Sequence, residues 1–245
     1  MYLTGMGQAV SDKQDNGSTL EQSTITFLIP CFNTPLMTSD LLYTALDSKL
    51  FTGCQFALLL QASDPRVETY KELVVTIREK GLDIGYFIFD GTPYCGMINR
   101  VAPILNTRSV CVLNNQHFPW YTGKDGIGIA GAVEQWLSKA VEPMGVGVFD
   151  AQGNHPVVTK HFIERLGYMF HPLCTGREEA ERWLLTLAEK LAIIGNIPDC
   201  KLIASRAETV DLLGFSTEEE MVWVLQVLTQ LTDDEVERIG TYLVK

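Results

Sequence analysis

Short apolar runs alternating with helix-patterned stretches dominate the first half of this chain. Ile25 to Ile29, Phe56 to Leu60, Ile84 to Phe89 and Ser109 to Leu113 read as strands. Each is continuously apolar, or nearly so, as expected for strands covered on both faces. Between them, residues 38–49 carry Leu41, Leu42, Ala45 and Leu46 at helical spacing. Residues 67–80 carry Tyr70, Leu73, Val74 and Ile77, with Gly81 suited to the helix stop. A third helix is expected at about 94–105, its last turn made irregular by Pro103. A β-α-β-α-β-α-β alternation implies a parallel sheet with right-handed crossovers.

Parallel strands all end at one edge, and ligands of open α/β sheets bind outside the carboxyl ends of the strands. The expected tips are polar: Asn33, then Ser63 and Asp64, then Asp90, then Asn114 to Gln116 with His117. Their convergence is a stronger indication of a site than any one of them.

The second half is less regular. Helices are expected at 126–141 and 177–193, and another within 156–166, opening on Pro156. Short strands are expected at 146–149 and 168–170, with an extended piece at 197–204. Two terminal helices follow the capping boxes Ser216-Thr217-Glu218-Glu219 and Thr232-Asp233-Asp234-Glu235. The first of these, with Met221, Val222, Val224, Leu225 and Leu228, is apolar nearly all round. It therefore needs a cover, either its own domain or a protein partner, which includes self-association through 216–245. The division expected is a flexible arm at 1–23, a main domain at 24–204 and a helical extension at 205–245.

Composition narrows the function classes. Acidic residues outnumber basic ones 30 to 19, a net charge of −11, which disfavours non-specific nucleic-acid binding. The six cysteines form no C-x-x-C pair, and most lie in apolar runs, as expected of reduced core residues in an intracellular, cytoplasmic protein. No segment has the length of a membrane span, and the N-terminus lacks the apolar region of a signal peptide. G-x-G-x-x-G after the first strand, the P-loop pattern, the G-x-S-x-G elbow and H-E-x-x-H are all absent. This argues against Rossmann dehydrogenases, P-loop NTPases, α/β-hydrolases and zincins.

Ile25-Thr26-Phe27-Leu28-Ile29-Pro30-Cys31-Phe32-Asn33 resembles the opening of family-2-type glycosyltransferases of the GT-A fold. Ser63 resembles the serine of that family's second-strand tip. Asn99, in Gly96-Met97-Ile98-Asn99-Arg100, resembles the asparagine of its mid-domain helix. Asn114-Asn115-Gln116 falls where the family carries its metal-binding D-x-D. His155-Pro156, Leu166-Gly167-Tyr168 and Glu181-Arg182-Trp183-Leu184 resemble a pattern of phage-encoded members, which would place the protein in a host-cell cytoplasm. The resemblance covers roughly residues 24–204.

It implies a GT-A-like α/β fold: a mostly parallel central sheet flanked by helices, with a C-terminal helical extension. It further implies binding of a sugar nucleotide, a uridine diphosphate type among the candidates, and transfer of a hexosyl or pentosyl unit to an acceptor. Pro30, Asn33, Ser63, Asp64 and Asp90 would serve the nucleotide sugar, together with Asn99, Asn114, Gln116 and His117. Glu181 would be the acceptor-activating base. The D-x-D is degenerate, because amide carbonyls carry no charge and Mn and Mg favour hard, charged oxygens. No cofactor is therefore expected and no residue is named as a metal ligand, with Mn or Mg left open as the alternative. Leu60-Gln61 likewise stands where the family has base-recognising aspartates. Two alternatives remain on sequence alone: a catalytically inactive GT-A-like domain serving as a binding or structural subunit, and an unrelated nucleotide-binding α/β protein.

Overall fold

The most apolar run forms the middle of a mixed sheet. A computed structural model describes residues 23–114, 117–121, 127–139, 145–149, 155–198, 200–204, 232–233 and 235–237. β1 (Ser23–Cys31) lies between β2 (Cys54–Gln61) and β4 (Thr107–Val112), and β3 (Ile84–Phe89) flanks β2; all four are parallel. β7 (Val157–Thr159) adds antiparallel to β4, β6 (Val146–Val148) antiparallel to β7, and β8 (Ile194–Asn196) parallel to β6. The seven-stranded order is β3-β2-β1-β4-β7-β6-β8. A separate pair joins β5 (His117–Tyr121) antiparallel to β9 (Cys200–Ala204).

Successive strand residues face opposite sides, so β1 feeds two cores. Ile25, Phe27 and Ile29 pack with α1 (Pro35–Asp47), α2 (Val67–Glu79) and α4 (Ile129–Lys139). Phe27 stacks on Phe56 at 5.4 Å and meets Phe51 edge-on at 5.8 Å. Leu28, Val110 and Val112 face the other layer, made by α3 (Tyr94–Val101), α5 (Lys160–Leu166) and α6 (Arg177–Lys190). Cys31, Cys54, Cys95, Cys111 and Cys174 are buried free thiols. Burial pushes Cys31 and Cys174 up to about 12, which leaves both unreactive. Among the described residues, no helix is long and apolar enough to cross a membrane.

Four elements differ from the sequence expectation. Val157-Val158-Thr159 is a strand rather than the start of a helix, because its β-branched residues extend the sheet beside β4. The helix begins one residue later, capped by the Thr159 hydroxyl, which accepts the Phe162 N–H at 3.3 Å. Tyr168 to Phe170 is a bend and not a strand; it follows Gly167, whose φ of +88° ends α5 in the left-handed region. β5 and β8 are not among the expected strands: β5 follows directly on the polar tip at Asn114 to Gln116, and β8 is Ile-Gly-Asn, in which glycine and asparagine weaken a strand signal.

Residues 1–22 and most of 205–245 lie outside the described residues. Of the expected terminal helices, Thr232 is buried and Val236 packs against the second core. Lys190 pairs with Asp233, and the Tyr168 hydroxyl donates to Glu235. This short piece thus covers the chain's own α6 face.

Gly195 marks a close approach. A Cβ there would lie 2.7 Å from Trp136 Nε1, and one at Gly147 would lie 3.1 Å from the same ring. Gly195→Ala is expected to cost about 1–3 kcal/mol through overpacking. Urea unfolding measures it, and an unchanged midpoint would mean that Trp136 gives way without cost.

Candidate functional site

Backbone geometry joins the first strand tips to one another. Pro30 pairs in register with Leu59 near the end of β1. Asn33 then turns the chain with φ +52°, a left-handed conformation that asparagine tolerates. Its N–H donates to Asp64 Oδ2 at 2.7 Å, while Asp64 Oδ1 accepts the Arg66 N–H at 2.7 Å. Asp64 is therefore a buried carboxylate that clamps the loops after β1 and β2, with Ser63 exposed beside it. Asp64→Ala is expected to cost about 1–3 kcal/mol, because both backbone donors lose their acceptor. Thermal unfolding would show it, and no loss would mean that water replaces the carboxylate.

The next pair of loops is joined in the same way. Gln61 Nε2 donates to the Thr92 carbonyl at 2.5 Å, which assigns the amide orientation and leaves Oε1 buried without a partner among the described residues. Thr92 Oγ1 donates to the Asp90 carbonyl and accepts from Arg100 Nη1 at 3.2 Å. Asp90 itself is exposed at the tip of β3. Asn114, half-buried, follows β4 at the same edge. Gln116 lies outside the described residues, and His117 opens β5 opposite Ala204.

Asn99 is engaged elsewhere. Its Nδ2 donates to the Phe170 carbonyl at 2.7 Å, and its Oδ1 accepts the N–H groups of Met169 and Phe170, each at 3.0 Å. The side chain holds the 168–170 bend onto α3, so its amide is committed to backbone.

Behind the end of β4 lies a buried polar cluster that the strand tips do not reveal. His155, fully buried with φ +52°, donates from Nδ1 to the Val112 carbonyl at 2.8 Å. The carbonyl can only accept, so Nδ1 carries the proton. Nε2 then accepts from Arg177 Nη2 at 3.0 Å. Arg177 Nε donates to Glu181 Oε1 at 2.9 Å, one helical turn along α6. The carboxylate also takes a hydrogen bond from the His155 backbone N–H.

Glu181 is only 7% exposed, although Glu178 and Arg182 beside it are exposed. Burial pushes its carboxyl above the usual range, against the pull of Arg177's charge and hydrogen bond. Burial acts downward on Arg177, but the Glu181 charge and hydrogen bond leave it raised. The Tyr94 hydroxyl feels both charges; burial first, then Glu181, pushes it well up. Its oxygen has no hydrogen-bond partner among the described residues.

Sequence reasoning named Glu181 but passed over Arg177 and Tyr94. The four-residue spacing of Arg177 and Glu181 was the available signal. Nothing in the sequence marks Tyr94 as polar-facing.

Comparison with solved structures places this edge in context. A mannosyltransferase from Pyrobaculum calidifontis, in complex with GDP-Man and Mn2+, superposes with a TM-score of 0.53 at 15% identity, over 71% of this chain and 55% of that one. TarS 1–349 of S. aureus in complex with UDP-GlcNAc superposes with a TM-score of 0.62 at 11% identity, over 84% of this chain and 65% of that one. TarS 1–349 in complex with UDP gives a TM-score of 0.52 at 10% identity, over 72% and 58%. No protein-family model matches the chain, and no curated protein does. The chain shares the GT-A-type α/β fold of these neighbours, at identities that speak for fold alone, and spans about 55–65% of their length.

The Mn2+ of that mannosyltransferase poses a question of fit here. Among the described residues, no three His, Cys, Asp or Glu side chains are grouped to hold an ion. Asp64 commits both oxygens to backbone, Glu181 is paired with Arg177, and Asn114 offers a neutral carbonyl. Among the described residues Asp90 adds one exposed carboxylate at this edge, and a single charged side chain beside a neutral amide fits a divalent cation poorly, since the cation favours several charged oxygens.

Proposed function

We propose that this chain binds a sugar nucleotide at the carboxyl edge of its sheet and transfers the sugar to an acceptor hydroxyl. The donor is of nucleoside-diphosphate type, and Glu181 is the base. The observation carrying this reading is the buried Glu181 carboxyl, tied through Arg177 and His155 to the last carbonyl of β4, within a fold of glycosyltransferase type. In the transfer step, the acceptor hydroxyl gives its proton to Glu181 as its oxygen bonds the anomeric carbon. The bond from that carbon to the diphosphate oxygen breaks, and the nucleoside diphosphate leaves with its electron pair. Among the described residues, Asn33, Ser63, Asp64 and Asp90 shape the nucleotide end of the cleft, and Asn114 the end nearer the sugar.

A base raised by burial operates above the ordinary carboxylate range. The rising limb of kcat/KM is thus expected above about pH 4.3, the usual glutamate value. A limb at or below that value would remove Glu181 from the role.

Calorimetric titration with UDP, GDP, their sugar conjugates and ADP tests the binding half. Affinities at roughly the high-micromolar to millimolar level are expected for the UDP or GDP series, with ADP weaker. No binding by either series, or a preference for ADP, would overturn the reading.

A further inference from the structure

We infer that Arg177 supplies the positive charge that holds the donor's diphosphate, in the role for which the described residues of the strand edge offer a divalent cation a single exposed carboxylate, Asp90. The inference rests on the sugar-nucleotide reading and adds the group that makes it electrostatically workable.

The first observation is the donor set. A diphosphate brought to Asn114 meets a neutral amide; of the described carboxylates, Asp64 and Glu181 are engaged and exposed Asp90 would repel it. Some cation has to neutralise it, and the protein must supply that cation if no metal can be held.

The second is the state of Arg177. Glu181 holds its Nε and His155 holds its Nη2, so the guanidinium plane is fixed before any ligand arrives. Nη1 makes no hydrogen bond among the described residues, and the side chain keeps 23% of its surface exposed. A planar donor fork locked on two sides, with one nitrogen left over, suits a phosphate oxygen. The His155 bond to Val112 places this fork behind the strand end that leads into Asn114.

The third is the Tyr94 hydroxyl, buried without a partner in the field of the same ion pair. An orphaned buried hydroxyl is costly in the free protein. A ligand oxygen that reaches the fixed Arg177 fork would give this hydroxyl an acceptor.

The test is calorimetric binding of UDP and GDP in EDTA and in manganese. Wild-type affinity is expected to change by no more than about twofold on adding manganese. Arg177→Gln is expected to weaken diphosphate binding by about tenfold or more, as a lost charge-assisted hydrogen bond implies. Uridine and guanosine, which lack phosphate, should bind this variant as they bind wild type. Arg177→Gln leaves Glu181 buried and unpaired, so Arg177→Gln with Glu181→Gln serves as a second variant with the same expectation. Diphosphate binding that either folded variant retains at wild-type strength would overturn the inference and leave the sugar-nucleotide reading standing. A gain of about tenfold or more with manganese would do the same. Failure of wild type to bind UDP and GDP under both conditions would overturn both.

Discussion

Glu181→Gln will lower turnover by about 10²–10⁴-fold, the usual worth of a positioned general base. The carboxamide keeps the shape of the side chain and still accepts from Arg177 Nε, but it cannot take a proton from the acceptor hydroxyl. Donor affinity should stay within a few-fold, because the base acts on the acceptor. The loss therefore appears in kcat rather than in the KM for the donor. The rising limb of the pH profile, set by the raised Glu181 carboxyl, should disappear in the variant. Stability falls as well. Breaking a fully buried ion pair costs about 3–5 kcal/mol, and the partial exposure of Arg177 puts this case below that range. Release of nucleoside diphosphate, followed with folded protein, decides the matter. Turnover at the wild-type rate would mean that the proton goes elsewhere.

Trp183→Ala will cost about 3–5 kcal/mol of stability, the range for emptying a large buried aromatic site. Trp183 is fully buried in the second core, between His171 at 5.4 Å and Tyr168 at 5.9 Å. Its Nε1 has no hydrogen-bond partner among the described residues, so the loss is one of packing and not of a polar contact. The aromatic replacement Trp183→Phe should accordingly lose much less than Trp183→Ala. Because Trp183 lies two residues from Glu181 on α6, the alanine variant should also loosen the ion pair. Urea unfolding measures both changes. A loss in Trp183→Ala below about 1 kcal/mol would contradict the packing described here.

The parallel half of the sheet was legible because β1, β2 and β4 are continuous apolar runs bounded by turn residues. Periodicity could not mislead there. β7 was not legible because Pro156 ahead of it suits a helix start, and β8 was not because Gly195 and Asn196 weaken a strand signal. β5 was hidden by the polar run before it and by Pro119, which weakens a strand signal.

At the edge, topology alone led to Asn33, Asp64 and Asp90, because parallel strands must end together. It could not show that Asp64 is a clamp for two backbone N–H groups, or that the Asn99 amide is committed to Met169 and Phe170. Those bonds depend on which loops meet. Nothing in the sequence separates Glu181 from Glu178, Glu179 and Arg182 as a buried residue. Its burial follows from the packing of α6 on α3 and on the bend after α5, which no single-chain pattern reports. Arg177 was overlooked for the same reason, since a cation in the first turn of a charged helix carries no sign that a buried histidine holds it.

Amide hydrogen exchange with and without saturating UDP or GDP tests the central claim most directly. The account predicts slowed exchange at 32–34, 61–66, 90–94 and 113–114, where the strand tips and their joined loops lie. Slowed exchange confined to the opposite edge, at 52–54, 81–84 and 105–107, would contradict it, as would no change at any of these segments.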